Sequence, residues 1–284
     1  MKYTDYVKSQ VSSENWELLK SMNLNFDERA TAQIWRAYVN APKRWETEIP
    51  FLIGQLREYY GQSVKRVEGK VFPRIVPHIP RVFDAAAGSG ATSIGLARAG
   101  FDVVPNEADF YWRQIAHSEM DFLLDHPGID IRMQDWRELK LGPDEEPCDA
   151  LVCLGNSYTY LHRREDQLRA LWNFYTMVHQ GGKIILDTRN YEPILRGEFF
   201  QDHTLLYCGE DVHVKPKYTS KSMVVWEYAS AHLEKPVHNV IYPYTEDELD
   251  GLFDHVGLTK REKYYDYQRE KPEKYSIITY VARK

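Results

Sequence analysis

Apolar positions recur at helical spacing through residues 13–60, where Phe26, Ile34, Trp35 and Tyr38 are followed by Ile49, Leu52, Ile53 and Leu56. Ser13 precedes this periodicity, and Pro42 is expected to break it in two. Residues 61–80 carry prolines at 73, 77 and 80 and read as a loop. Short apolar runs then alternate with helical periods. Strands are expected at 81–85, 101–105, 129–134, 148–155 and 183–188, with helices through about residue 99, at 109–125 and at 164–178. The run CDALVCLG is continuously apolar, as in a central strand covered on both faces. Alternation on this scale predicts a parallel sheet with helices on both sides.

From 193 to 243 the pattern changes to aromatic and β-branched runs such as HTLLYC and SMVVWEY, which predict an antiparallel insertion. A helix at 245–256, stopped at Gly257, and strands around 261–268 and 275–282 return to the earlier layer. The expected organisation is a helical cap at 1–60, a core at 61–192 and 244–284, and a substrate-side insertion at 193–243.

Composition narrows the function. With 36 basic and 42 acidic residues the formal charge is -6, and no stripe of Lys and Arg would track a phosphate backbone, so nucleic acid is not expected as a partner. The start MKYTDYVKSQ lacks a secretion pattern and no run of about 18 apolar residues occurs, which leads to the expectation of a soluble, cytoplasmic protein without a membrane partner. Three cysteines without CxxC spacing suit a reducing compartment. Neither HExxH nor a His pair at i and i+4 occurs, and no metal is expected.

The segment VFDAAAGSGATSIGLA sets Asp84 at a strand end, followed by a turn with Gly88 and Gly90 and a helix. Such glycines let backbone approach a ligand, although close strand-to-helix turns also use them for structure alone. A dinucleotide fingerprint would want Gly or Ala where Ser93 stands, and Asp84 would sit badly beside a phosphate. Glu107 and Asp135 follow the next two strands, with Trp136 adjacent. Three acids at successive strand ends suit a cationic nucleoside cofactor, since ligands bind at the carboxyl ends of strands in open α/β sheets.

Beyond these, LGNSYTYL at 154–161, GGKIILDTRNYEPIL at 181–195 and IWRAYVNAPKRW at 34–45 carry a resemblance. From about residue 25 onward the chain resembles the glycine and sarcosine N-methyltransferases of the class I methyltransferase superfamily. The resemblance implies a Rossmann-like α/β fold with a mostly parallel seven-stranded sheet. It also implies S-adenosyl-L-methionine as methyl donor, S-adenosyl-L-homocysteine as product, and a small-molecule amine or amino acid as acceptor. Carried over by position, Asp84, Ala87, Gly88 and Leu154 line the cofactor, Glu107 holds the ribose, and Asp135 and Trp136 embrace the adenine. Trp35 and Tyr38 close over the site, and Arg44 meets the cofactor's carboxylate.

On the acceptor side the resemblance makes Arg189 a carboxylate clamp, with Asn156 and the Gly155 carbonyl orienting the amine and Tyr242, Tyr228 and Tyr207 near the methyl group. A guanidinium fork suits a carboxylate. Arg189 paired with Asp187 or Glu192, and Asn156 as a turn residue, stand as the plainer alternatives. The family usually has Asp at the position of Glu107 and often His at that of Tyr160. Glycine, sarcosine or a similar small amino acid is the expected acceptor. A larger metabolite or natural-product amine, or cofactor binding without turnover, stays open, as does a homo-oligomer.

Overall fold

The computed structural model describes the chain except residues 1, 40, 60–63, 68–69, 74–77, 125–129 and 200–210. Four helices come first: α1 (Tyr3–Gln10), α2 (Ser13–Ser21), α3 (Glu28–Tyr38) and α4 (Ala41–Leu56). Side chains start two of them, with Ser12 accepting from the Asn15 N–H and Asp27 from the Ala30 N–H. Helix α1 lies ahead of the expected helical region. The break falls between Tyr38 and Ala41, ahead of Pro42, which occupies the first turn of α4. A proline costs little there because its missing N–H would have no partner within the helix.

The expected loop at 61–80 contains a hairpin, β1 (Val64–Val67) with β2 (Lys70–Pro73). The core follows as β3 (Arg81–Asp84), α5 (Ala91–Arg98), β4 (Asp102–Pro105), α6 (Phe110–Leu124), β5 (Cys148–Cys153), α7 (Arg164–Met177) and β6 (Val178–Arg189). After the short α8 (Tyr191–Leu195) come β7 (His213–Ser220), β8 (Met223–Ala229) and β9 (Val237–Ile241). The chain closes with α9 (Glu246–His255), β10 (Lys260–Tyr265) and β11 (Ile277–Arg283).

The main sheet has the order β10-β11-β6-β5-β3-β4, with the four core strands parallel and the last two antiparallel. Among the described residues this sheet has six strands where seven were expected. Among the described residues of the run expected as the third strand, 130–134, the ladder is a single bridge, Arg132 to Asn106. Two features shorten that ladder. Pro105 has no N–H to contribute, and the Asn106 side chain replaces the next rungs by accepting the Gln134 N–H and donating to its carbonyl. Strand β5 is buried along all six residues, five of them apolar and the sixth, Asp149, satisfied by the Arg81 N–H, His78 and His179. Strand β6 extends back to Val178 and takes in Gly181-Gly182 instead of starting after them.

A separate three-stranded antiparallel sheet, β7-β8-β9, packs its apolar face against α3 and α8, so that Ile34, Tyr38, Tyr191, Trp226 and Tyr228 share one core. This second core includes Ile277, whose strand partner is Arg189 at the carboxyl end of β6. No described helix is long and apolar enough to cross a membrane.

Candidate active site

The turn after β3 is tight: the Gly90 N–H donates to the Ala87 carbonyl at 2.7 Å, and Gly88 and Gly90 have φ of 56° and 88°. A side chain would be strained at either glycine. Asp84, 1% exposed, accepts from the Ser93 hydroxyl at 2.6 Å and the Ala86 N–H at 3.3 Å. Burial pushes its pKa up to about 6 despite these donors.

Glu107, beyond β4, accepts the Gly88 N–H on one oxygen and the Asp109 N–H on the other, each at 2.9 Å. Burial raises it to about 7. A carboxylate offers about four acceptor positions, so each oxygen retains one, and a pair of neighbouring hydroxyls fits that vacancy. Asp135 is held more tightly. Arg137 donates to it from its backbone N–H, Nε and Nη2 at 2.9, 2.9 and 2.6 Å, and this neighbouring cation keeps the carboxyl below its ordinary range despite partial burial. One acceptor position is left. Trp136 donates to the Ala85 carbonyl at 2.7 Å and stacks on Tyr158, which fixes its ring as a wall beside the β3 turn.

Two further residues expected at the cofactor have protein partners as well, and Arg44 lies near enough to Asp84 and Asp187 to act on both carboxyls. Arg44 forms a fork with Glu48 at 3.0 and 2.7 Å, and Glu48 also accepts from Thr92 and Tyr267. Leu154 packs into the core formed by Leu52, Val152 and Ile185. Glu48 was not anticipated, because two of its partners, Thr92 and Tyr267, lie far from it along the chain.

Arg189 ends β6. Its Nη2 donates to the Tyr38 hydroxyl at 2.5 Å, and its guanidinium carbon lies 5.7 Å from the Trp226 ring centre. Tyr38, Trp35 and Tyr228 meet with ring centres 5.0 to 5.4 Å apart. Asn156 sits opposite in a left-handed conformation with φ 61°. Its carboxamide donates to the Tyr191 hydroxyl and Thr159, and accepts from the Arg189 N–H at 2.9 Å and the Thr188 hydroxyl. That fills an amide's capacity. Asn156 therefore fixes the backbone that carries Arg189. Asp187, fully buried, accepts the Gly155 and Asn156 N–H groups at 3.1 and 2.6 Å, and burial raises it to about 6.

Trp35, Asn156, Tyr160, Arg189, Trp226 and Tyr228 line a cavity of about 10 Å³ at this point. Tyr160 is held there by the Asn239 amide, which donates to its hydroxyl at 3.1 Å. A groove of about 230 Å³ between α3 and α6 is larger, but neither Arg189 nor any of the three strand-end acids lines it.

Tyr242 stands apart from these residues. Its hydroxyl donates to Glu248 at 2.7 Å and its ring packs on Tyr244, so it supports the start of α9 and does not line the cavity. Tyr207 lies outside the described residues. Trp226 was missed, although Tyr228 two residues on was named; alternation along a strand puts both on one face.

No family model matches the sequence. The glycine/sarcosine N-methyltransferase of Aphanothece halophytica is 30% identical over 234 residues, which are 82% of this chain and 80% of that protein. The glycine/sarcosine/dimethylglycine N-methyltransferase of Actinopolyspora halophila is 33% identical over 82% of this chain, and the match takes in only 38% of that longer protein. Among solved structures, an S-adenosylmethionine-dependent methyltransferase from Clostridium acetobutylicum superposes with a TM-score of 0.62 at 16% identity, covering 90% of this chain and 98% of its own. At that identity the likeness is one of fold.

Proposed function

Because this chain belongs to the glycine/sarcosine N-methyltransferase family, we propose that it methylates the amine of glycine, sarcosine or a similar small amino acid, using S-adenosyl-L-methionine. The observation that carries the reading is a division of charge. Carboxylates stand at the ends of β3 and β4 and in the Asp135 loop, while Arg189, packed on the Trp226 ring, lines the cavity. A positively charged donor and a negatively charged acceptor group suit these two ends.

When bound, the cofactor supplies a methyl group on a sulfonium. Asp84 attracts its ammonium, Glu107 accepts the ribose hydroxyls on its two remaining positions, and Asp135 accepts the adenine amino group on its last one, beside Trp136. Ala87 and Gly88 give close backbone approach. Arg189 grips the acceptor's carboxylate, Tyr38 and Asn156 hold Arg189, and the Gly155 carbonyl faces the amine. Trp35 and the other rings exclude water, which an in-line displacement between aligned groups requires. Neither a metal nor a protein nucleophile is needed for that step. In this reading residues 1–60 cap a core of 61–192 and 244–284, and 193–243 form the acceptor wall.

The test is a panel of amines and amino acids incubated with S-adenosyl-L-methionine and read by mass spectrometry. Gains of whole methyl groups on glycine or sarcosine are expected. Methylation of bulky amines with none on small amino acids would overturn the reading.

A further inference from the structure

Of the large rings in the wall around Arg189, Trp226 is the one against which the guanidinium packs. Trp226 is 3% exposed and lies with its ring against the guanidinium, 5.7 Å from centre to carbon. It is held from both sides. Its strand neighbours are Pro216 on β7 and Asn239 on β9, and Phe199 packs edge-on against it at 5.0 Å. A ring fixed in the middle strand of a sheet cannot swing aside as a loop residue could.

The space it leaves is small. About 10 Å³ is free in the cavity, roughly what is needed to accommodate the centre of one water molecule. Even a five-heavy-atom acceptor must press on the rings, and each added carbon must press harder. The other wall residues have little slack: Asn156 spends its whole amide on four partners, Tyr160 is tied to Asn239, and Tyr38 is tied to Arg189. An acceptor gripped by Arg189 lies alongside whatever the guanidinium itself packs on, which is the indole.

We infer that Trp226 sets the size limit of the acceptor, admitting an amino acid with an unsubstituted α-carbon and rejecting one that carries a side chain there. The inference rests on the proposed amino-acid reading. One extra methyl group against a fixed apolar wall is worth about ten- to two-hundredfold in selectivity. Shortening the wall should release most of that.

The experiment compares the native protein with Trp226→Leu and Trp226→Phe, measuring kcat/KM for glycine and for L-alanine by mass spectrometry, with S-adenosyl-L-homocysteine binding as the check of folding. The alanine-to-glycine ratio is expected to rise about tenfold or more in Trp226→Leu, and by less in the same direction in Trp226→Phe, which keeps a packing ring. An unchanged ratio in either active variant overturns the inference and leaves the amino-acid reading intact. So does a Trp226→Leu protein that binds S-adenosyl-L-homocysteine yet turns over neither acceptor, because a size limit is not needed for the smaller one. Native protein that methylates no amino acid overturns both.

Discussion

The acids at the strand ends are fixed by their own neighbourhoods, Asp135 by Arg137 two residues on, Asp84 by Ser93 nine residues on and Glu107 by Asp109 and Gly88. Arg189 is fixed from afar. Its hydroxyl partner, Tyr38, lies 151 residues earlier, and its ring partner, Trp226, stands in a different sheet. One end of the cleft is therefore a product of local turns, and the other exists only once α3 and the β7-β8-β9 sheet have docked on β6. The two ends also differ in charge state. Burial raises the pKa of Asp84 and Glu107, whereas the Arg189 guanidinium packs on the Trp226 ring and donates to the Tyr38 hydroxyl. Changes at the first end should act on cofactor affinity alone, and changes at the second on acceptor turnover.

The sharpest division is expected from Arg189→Ala. Loss of charge-assisted bonds to a carboxylate should lower kcat/KM for the amino acid about ten- to hundredfold, or roughly 1.5–3 kcal/mol. S-adenosyl-L-homocysteine affinity, measured by calorimetry, should hardly move. Arg189→Lys should recover part of the loss, because a point charge cannot supply two parallel bonds. An equal fall in cofactor affinity would break the division.

Glu107→Gln tests the opposite end. It keeps the shape but removes the charge that accepts two hydroxyls, and should weaken S-adenosyl-L-homocysteine about tenfold. The acceptor's KM at saturating cofactor should stay within about twofold. A large change in that KM would mean that the two ends are coupled.

A smaller effect is expected from pH. Glu107 is raised from 4.5 to about 7 and Asp84 from 3.8 to about 6, both chiefly by burial. The folded protein thus holds these protons more tightly than the unfolded chain. Between about pH 4 and 7 their ionisation costs folded-state stability, a contribution fully present below the unfolded pKa and lost as pH rises through the folded one. A ligand that presents hydroxyls and an ammonium favours the ionised forms. S-adenosyl-L-homocysteine should therefore bind more tightly as pH rises from 5.5 to 7.5, by up to about tenfold, and level off above. The slope should flatten in Glu107→Gln; an unchanged slope in that variant would assign the titration to another group.

The smallest effect on turnover should come from Tyr242→Phe. Its hydroxyl serves Glu248, whose other oxygen accepts the Thr245 N–H at the start of α9. Loss of one bond to a charged group should lower Tm by a few degrees, with kcat/KM within about twofold of native. A tenfold fall in turnover would return Tyr242 to the acceptor wall.

Legibility in the sequence follows the same division. The glycine turn, the acids after successive strands and the segments LGNS and DTRNYE were readable because each is a local pattern. The missing seventh strand was not, since Asn106 bonds Gln134 with its side chain and nothing in the run at 129–134 announces that. Nor was the meeting of Arg44 and Glu48 with Thr92 and Tyr267 readable, since those two partners lie 44 and 219 residues from Glu48.

By itself, then, the sequence determined the βα alternation, the antiparallel run that follows it, and the placing of acids after successive apolar runs. Periodicity and short spacings are properties of neighbouring residues, and these features need nothing more. Only the tertiary structure decided that Asn156 holds the backbone of Arg189, that Tyr242 faces α9, and that Trp226 stands against the guanidinium. Each of those depends on where two distant surfaces meet, and packing of rings and exchange of hydrogen bonds across such a seam leave no periodic trace along the chain.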